Sequence, residues 1–171
     1  MGIKILAPDV NSSSLHFTPE RSGDAMAIRF GLASIKNVGS AAMESMIEER
    51  ARGGAFPSLE DFCARLDSRT VNRKILESLV KCGAFDSFQK SRAQLFSEIE
   101  QAMASAASIQ RDRASGQAAL FDGFDSASPP AAGSVQAVEP WPRLEMLTYE
   151  KELLGYYITG HPLQAFAGHF D

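Results

Sequence analysis

The 171-residue sequence predicts a mainly α-helical fold, with a short N-terminal β ribbon, a disordered linker and a C-terminal helix. Three observations support this prediction. After Gly31, apolar residues recur at the spacings that are typical of one helix face. Glycines separate these helical stretches at short turns. Residues 114–142, which are rich in Gly, Ala, Ser and Pro, lack any periodicity and therefore indicate a linker.

The N-terminal region contains two short strand-like runs. These are residues 3–6 and 27–30, and we expect them to pair. Because a two-stranded ribbon is not stable alone, residues 1–30 are expected to be the end of a preceding domain. Residues 31–113 then form a helical domain, and residues 143–171 lead through a helix towards a missing domain, so the chain looks truncated at both ends.

Four helices are expected before the linker and one after it. Ser40 and Ser58 are the expected N-caps of the first two. The third is predicted over residues 71–81, and the fourth begins near Ser91 and fades after about residue 103. The expected apolar faces are Ala42, Met43, Met46 and Ile47; Leu59, Phe62 and Leu66; Ile75, Leu76, Leu79 and Val80; Leu95, Phe96, Ile99 and Met103; and, after the linker, Leu144, Leu147, Leu153 and Leu154.

Charge is distributed unevenly along the chain. The formal net charge is -4, yet residues 21–92 carry 12 Lys and Arg against 9 Asp and Glu. A nucleic-acid contact is therefore expected in the first half of the chain. The N-terminus does not have the pattern of a signal peptide, and no apolar run approaches the roughly 20 residues of a membrane span. We therefore expect no membrane contact and a cytoplasmic location.

The cysteines and histidines do not follow a metal-binding pattern. Cys63 and Cys82 lack a second pair at ligand spacing, and His16, His161 and His169 match no ligand pattern. Two buried thiols are expected, and a metalloenzyme is the least favoured function. No metal site, no cofactor and no catalytic residue is predicted for this chain.

Residues 31–42 predict a helical hairpin that binds phosphate. A short helix, a tight turn ending at Gly39 and a second helix follow one another, and Gly39 is expected to allow a conformation and a close approach that a Cβ would obstruct. Free amides and the helix dipole at the start of the second helix favour a phosphate. Such contacts hold DNA backbone without reading its bases. The expected binding residues are Lys36, Asn37, Val38, Gly39 and Ser40; a plain packing corner is the alternative.

A second helix-turn-helix layout spans residues 72–91, so the two units form a tandem helix-hairpin-helix arrangement. The second turn contains Ala84 and Phe85 and is assigned to packing. Three basic residues lie near it: Arg69, Arg73 and Lys74. They belong either to a phosphate contact or to a solvated helix face, and Arg73 and Lys74 are kept among the candidate DNA-backbone contacts.

Six sequence blocks occur in a characteristic order. They are Ile5-Leu6-Ala7-Pro8-Asp9-Val10-Asn11, Ile28-Arg29-Phe30-Gly31-Leu32 with Ile35-Lys36-Asn37-Val38-Gly39, Phe56-Pro57-Ser58-Leu59-Glu60-Asp61-Phe62, Val71-Asn72-Arg73-Lys74, Leu79-Val80-Lys81-Cys82-Gly83-Ala84-Phe85-Asp86, and Glu150-Lys151-Glu152-Leu153-Leu154-Gly155 with Gly160-His161-Pro162-Leu163. This series resembles the alpha subunits of bacterial DNA polymerase III, the replicative polymerases of bacteria.

The resemblance implies a segment that runs from the end of the fingers, through the tandem helix-hairpin-helix domain, to the threshold of an oligonucleotide-binding (OB) fold. In that family the hairpins hold the backbone of duplex DNA behind the active site. The carboxylates that bind magnesium belong to a palm domain that this chain does not contain, so the parent protein is expected to synthesise DNA and this chain alone to be inactive. Asp61, Asp67 and Asp86 are expected to be caps or surface charges.

The resemblance also implies a sliding-clamp-binding motif within the linker. Gln117-Ala118-Ala119-Leu120-Phe121 is similar to the internal pentapeptide of this family. Leu120 and Phe121 would enter an apolar pocket of the clamp, and the Gln117 amide would hydrogen-bond at its rim. Duplex DNA, the sliding clamp and other replicase subunits are thus the expected partners. Two alternatives stay open: an error-prone paralogue of the same polymerase family, and a free-standing helix-hairpin-helix scaffold.

Overall fold

The computed structural model describes residues 3–114 and 138–160. Within these ranges the chain forms strands β1 (Lys4–Leu6), β2 (Thr18–Ser22) and β3 (Ala25–Arg29), then helices α1 (Ser40–Gly53), α2 (Leu59–Arg65), α3 (Arg73–Lys81), α4 (Arg92–Ala114) and α5 (Arg143–Leu154). Short 3-10 turns lie at Leu32–Ser34 and Asp86–Phe88. The predicted mainly α class is confirmed. Of the predicted linker, the structure describes only residue 114 and residues 138–142.

The two predicted strands pair in parallel and belong to a three-stranded sheet of order β1-β3-β2. Ile5 of β1 lies opposite Ile28 of β3. Strand β2, antiparallel to β3, was not predicted, because Pro19 within it weakens the strand pattern. Proline is tolerated on an edge strand, which is the position of β2. Arg29 fixes β3 to β2 through a two-pronged ion pair with Glu20, with both N···O distances 2.7 Å.

The segment between β1 and β2 is attached to the helical core. Val10 is fully buried, as is Phe30 at the end of β3, and both belong to the same apolar cluster as the helices. Arg50 of α1 donates from one guanidinium nitrogen to the carbonyls of Val10 (2.7 Å) and Ser13 (2.9 Å). The segments that follow β1 and β3 thus belong to the helical core, and the domain boundary at residue 30 stays a prediction.

Side chains cap the starts of three of the five described helices, and at α4 the Ser91 hydroxyl accepts from the Gln94 amide at 3.1 Å. The Ser58 hydroxyl accepts from the Asp61 amide at 3.2 Å, as predicted, and Asn72 caps α3 in the same way through the Ile75 amide. The prediction for α1 was wrong by one residue. Gly39 occupies the N-cap position with an extended backbone, and Ser40 is already helical, so its hydroxyl makes no capping bond.

Helix α4 is longer than predicted and continues past Met103 to Ala114. Its second half has few large apolar residues, but alanine favours helix, and small side chains allow close packing. Ala102 and Ala106 are buried, α4 packs on α2, and Gln110 donates to the Leu66 carbonyl at 2.8 Å. Although α4 is long, no helix in the described part of the chain has the length and apolarity to cross a membrane.

A row of phenylalanines joins the loop before α2 to the second hairpin turn. Phe62 packs edge-to-face on Phe56 (4.9 Å between ring centroids) and on Phe85 (5.0 Å). Ala84 and Phe85 are fully buried, as expected for a second turn that serves packing. Helix α5 packs against α3, and its Leu147, Leu153 and Leu154 are buried. The inward position predicted for Leu144 was wrong, because its side chain is 64% exposed and lies off the packed face.

Candidate nucleic-acid interface

The first hairpin turn combines a buried apolar base with an exposed polar tip. Leu32, Ile35 and Val38 are almost fully buried. Lys36 and Asn37, which lie between Ile35 and Val38, are exposed together with Gly39 and Ser40. The alternation therefore anchors the turn on one side and presents its polar atoms to solvent on the other.

The start of α1 presents unpaired amide donors. The first amide that bonds back into the turn is that of Met43, which donates to the Gly39 carbonyl at 3.3 Å. The amides of Gly39 and Ser40 have no acceptor within residues 3–114 and 138–160. The first turn of α1 also has no acidic side chain that would compete for these donors. With the positive end of the helix dipole, this arrangement is suited to bind an anion.

Two details of the predicted turn were wrong. Gly39 has an ordinary extended backbone (φ -72°, ψ 143°), and a Cβ built there would meet no atom within 4 Å. The left-handed residue of the turn is Asn37, with φ 67°. The Val38 amide is not free either, because it donates to the Ile35 carbonyl at 3.2 Å. Of the three amides expected to bind phosphate, those of Gly39 and Ser40 remain available, and open space lies above Gly39.

Lys74 shares a cleft with the hairpin turn, whereas Arg73 is occupied elsewhere. The cleft, of about 130 Å³, is lined by Asn37 and Lys74 together with Glu77, Ser78, Lys81, Glu152 and Leu153. Arg73 is paired with Glu77 at 2.8 Å and with Glu100. Hydrogen bonds to Glu77, and then to Glu100, raise the pKa of Arg73. Lys74 is therefore the better placed of the two candidate contacts, since the charge of Arg73 is already balanced.

The third basic residue of the predicted cluster, Arg69, lines a different cleft. Its neighbours there include Asp67, Gln110 and Arg113, at the C-terminal ends of α2 and α4. Carbonyl groups at helix C-termini favour cations, which explains the basic side chains without any bound anion. The structure therefore does not place Arg69 in the cleft of Lys74.

The three aspartates act as local partners, in line with their predicted roles. Asp61 pairs with Arg65 at 3.2 Å, and Asp67 accepts from the Arg69 amide at 2.8 Å. Asp86 pairs with the buried Arg92. Among the described residues, no group of three or more histidine, cysteine or acidic side chains comes together as a metal site.

Helix α5 contributes residues to this region that the sequence did not reveal. Glu152 and Leu153 line the cleft beside Asn37, and the Lys36 amide donates to the Leu153 carbonyl at 2.9 Å. A helical pattern predicts which side chains face the core, but it does not indicate which distant turn a backbone carbonyl will contact. The candidate clamp-binding residues Gln117, Leu120 and Phe121 lie outside the described residues.

Comparison with known proteins identifies the fold family and its relatives. A family described as a helix-hairpin-helix motif matches residues 2–95, more than half of the chain. DNA polymerase III subunit alpha of Escherichia coli (strain K12) is 39% identical over 166 residues, which cover 97% of this chain and 14% of the relative. The same subunit of Caulobacter vibrioides is 39% identical over 169 residues (98% and 14%). That of Borreliella burgdorferi is 36% identical over 172 residues (100% and 15%).

The matched regions contain the features described above. The helix-hairpin-helix match includes the sheet, the first turn and the second turn up to the start of α4. The chain spans about one seventh of the length of the relatives that it matches. It therefore belongs to the helix-hairpin-helix family and corresponds, over nearly its whole length, to one segment of the DNA polymerase III alpha subunits.

Proposed function

We propose that this chain is the duplex-DNA-binding and clamp-docking segment of a bacterial replicative DNA polymerase. The observation that carries the DNA-binding proposal is the pair of exposed, unpaired amides of Gly39 and Ser40 at the start of α1. The helix-hairpin-helix match and the similarity to polymerase alpha subunits support it.

The proposed mode of binding is contact with the sugar-phosphate backbone. A phosphate oxygen would accept from the amides of Gly39 and Ser40, while the dipole of α1 favours its negative charge. Lys36, which precedes Asn37, and Lys74, which lines the same cleft as Asn37, are both exposed and would add point charges. These groups address phosphates and not base edges, so binding would be independent of sequence and strongly dependent on salt.

Fluorescence anisotropy with two labelled duplexes of unrelated sequence tests this mode. We expect equal affinities for the two duplexes and weaker binding as salt increases. A clear preference for one duplex, or no binding even at low salt, would contradict backbone binding. Ser12→Ala is the control variant for this assay, because Ser12 is exposed in the loop before β2 and is not one of the proposed DNA contacts.

Clamp docking is proposed for Gln117, Leu120 and Phe121. The proposal rests on the similarity of this pentapeptide to the clamp-binding motif of the polymerase family. Two apolar side chains in one pocket bind with modest affinity, and the DNA contact in the same chain adds avidity. Binding of the chain to a bacterial sliding clamp is compared with that of a Leu120→Ala, Phe121→Ala double variant. We expect the variant to lose binding; equal binding by both proteins would contradict the assignment and favour an error-prone paralogue.

The proposed parent activity is DNA-templated DNA synthesis in the cytoplasm, together with other replicase subunits. Magnesium, held by carboxylates in another part of such a polymerase, would supply the nucleotidyl-transfer chemistry. This chain would hold the duplex that the active site extends. We expect the chain alone to incorporate no nucleotide in a primer-extension assay with magnesium, and incorporation by the purified chain would contradict this division of roles.

A further inference from the structure

Helix α5 lies outside the matched residues 2–95, yet it contacts the first hairpin turn directly. The Lys36 amide donates to the Leu153 carbonyl at 2.9 Å. Carbonyls in the last turn of a helix have no partner within that helix, so this bond satisfies both groups. The bond joins the end of α5 to the turn just before α1.

The same helix is fixed by a carboxylate with no exposed surface. Glu150, one helical turn before Leu153, is 0% exposed. One of its oxygens accepts from Arg92 (3.1 Å) and from the Thr159 hydroxyl (2.8 Å). The other accepts from the amides of Ile158 and Thr159, both at 3.1 Å. A buried carboxylate with this many donors is costly to disturb, because its charge would be left unpaired.

Arg92 connects Glu150 to the second hairpin. Its guanidinium donates to both carboxylate oxygens of Asp86, at 3.0 and 2.8 Å, and to the Lys81 carbonyl at 3.3 Å. Burial alone would lower the pKa of Arg92, but the hydrogen bond and charge of Asp86, and then Glu150, outweigh burial and raise it. Arg92 is therefore charged, and it ties α5 to the turn that precedes α4.

We propose that Glu150 is a positioning residue for DNA binding: through Arg92 and α5 it fixes the Leu153 carbonyl against the Lys36 amide and so orients the first hairpin turn. This inference rests on the proposed function of that turn. It assigns to α5, which the helix-hairpin-helix match does not include, a part in holding the duplex. Glu150 touches no DNA in this arrangement and acts only through the turn.

Amide hydrogen exchange measured by NMR, combined with duplex affinity, tests the proposal. Glu150→Gln keeps the shape of the side chain and removes its charge. The matched control is Glu139→Gln, which makes the same charge change at an exposed position just before the same helix and outside the cleft of Lys74. In Glu150→Gln we expect the Lys36 amide to exchange about tenfold faster, while the Met43 amide of α1 is unaffected. Duplex affinity should fall by about fivefold, and in Glu139→Gln both exchange at Lys36 and affinity should stay as in the wild type.

Unchanged exchange at Lys36 in Glu150→Gln, or faster exchange with wild-type affinity, would overturn the proposal. If Glu150→Gln unfolds, the Met43 amide also loses its protection and exchanges faster, and Thr159→Val then decides. That variant removes one hydrogen bond to Glu150 and retains the pair with Arg92, so a smaller effect in the same direction is expected and no effect overturns the proposal. A wild-type chain that binds no duplex overturns the proposed function instead, because exchange at Lys36 is measured without DNA.

Discussion

Asn11 and Phe56 exchange two hydrogen bonds across the junction between the sheet and the helices. The Asn11 side-chain nitrogen donates to the Phe56 carbonyl at 2.9 Å, and the Phe56 amide donates to the Asn11 side-chain oxygen at 2.8 Å. Phe56 is nearly fully buried and forms one end of the phenylalanine row. The pair therefore secures the loop before α2, which lies far from Asn11 in the sequence.

Asn11→Ala removes both partners of the Phe56 backbone. Buried polar groups without partners are costly, so we expect the free energy of unfolding to fall by about 2 kcal/mol. Ser12→Ala, at the exposed neighbouring position, should change it by less than about 0.5 kcal/mol. Urea denaturation followed by circular dichroism measures both values. Equal stabilities of the two variants would show that the Asn11 contacts contribute nothing.

Gly83→Ala should be more damaging than Gly54→Ala, although both glycines have a left-handed backbone (φ 85° and 80°). A Cβ at Gly83 would overlap the guanidinium of Arg92, whereas one at Gly54 would meet no atom within 4 Å. We expect losses of about 3 and about 1 kcal/mol, because only the first adds displacement of a buried ion pair to backbone strain. Thermal unfolding of the two variants, measured side by side, gives the two losses of stability. Equal losses would refute this reasoning.

Cys63 and Cys82 should be unreactive in the folded chain. Burial raises the pKa of each thiol to about 12. Because the unfolded chain loses these protons near pH 9, the two thiols stabilise the fold fully below that pH, and this contribution declines between about pH 9 and pH 12. We expect no labelling by a thiol reagent at pH 8 without denaturant and labelling of both residues in urea. Rapid labelling of the folded chain would indicate an exposed thiol.

Local patterns predicted those elements whose formation depends on local chemistry. Ser58 caps α2, and the apolar spacing from Ile75 to Val80 gives the buried face of α3. The same reasoning predicted an end of α4 that is too early. Ala102 and Ala106 belong to the core because their small side chains allow close packing, whereas the prediction relied on large apolar residues. It also missed β2, whose pairing with β3 is set by the partner strand.

The candidate site was predictable as a location and less so in detail. Lys36, Gly39 and Ser40 are exposed at the turn, as the sequence suggested. However, the Val38 amide is used within the turn. The Arg92–Glu150 pair depends on a tertiary contact between distant segments, and neither residue has a local pattern that would reveal it.

The salt dependence of duplex binding by Lys36→Ala tests most directly whether the first hairpin turn holds DNA backbone. Each lost phosphate contact should reduce the slope of log K against log salt by about 1, at a similar cost for every duplex sequence. Arg73→Ala is the control, since Arg73 is already paired with Glu77 and Glu100. The proposal that the turn binds DNA backbone predicts that Lys36→Ala and Lys74→Ala each weaken duplex binding and lower the slope. Arg73→Ala should change the slope little. An unchanged slope in Lys36→Ala, with wild-type affinity, would contradict the proposal that this turn grips the duplex.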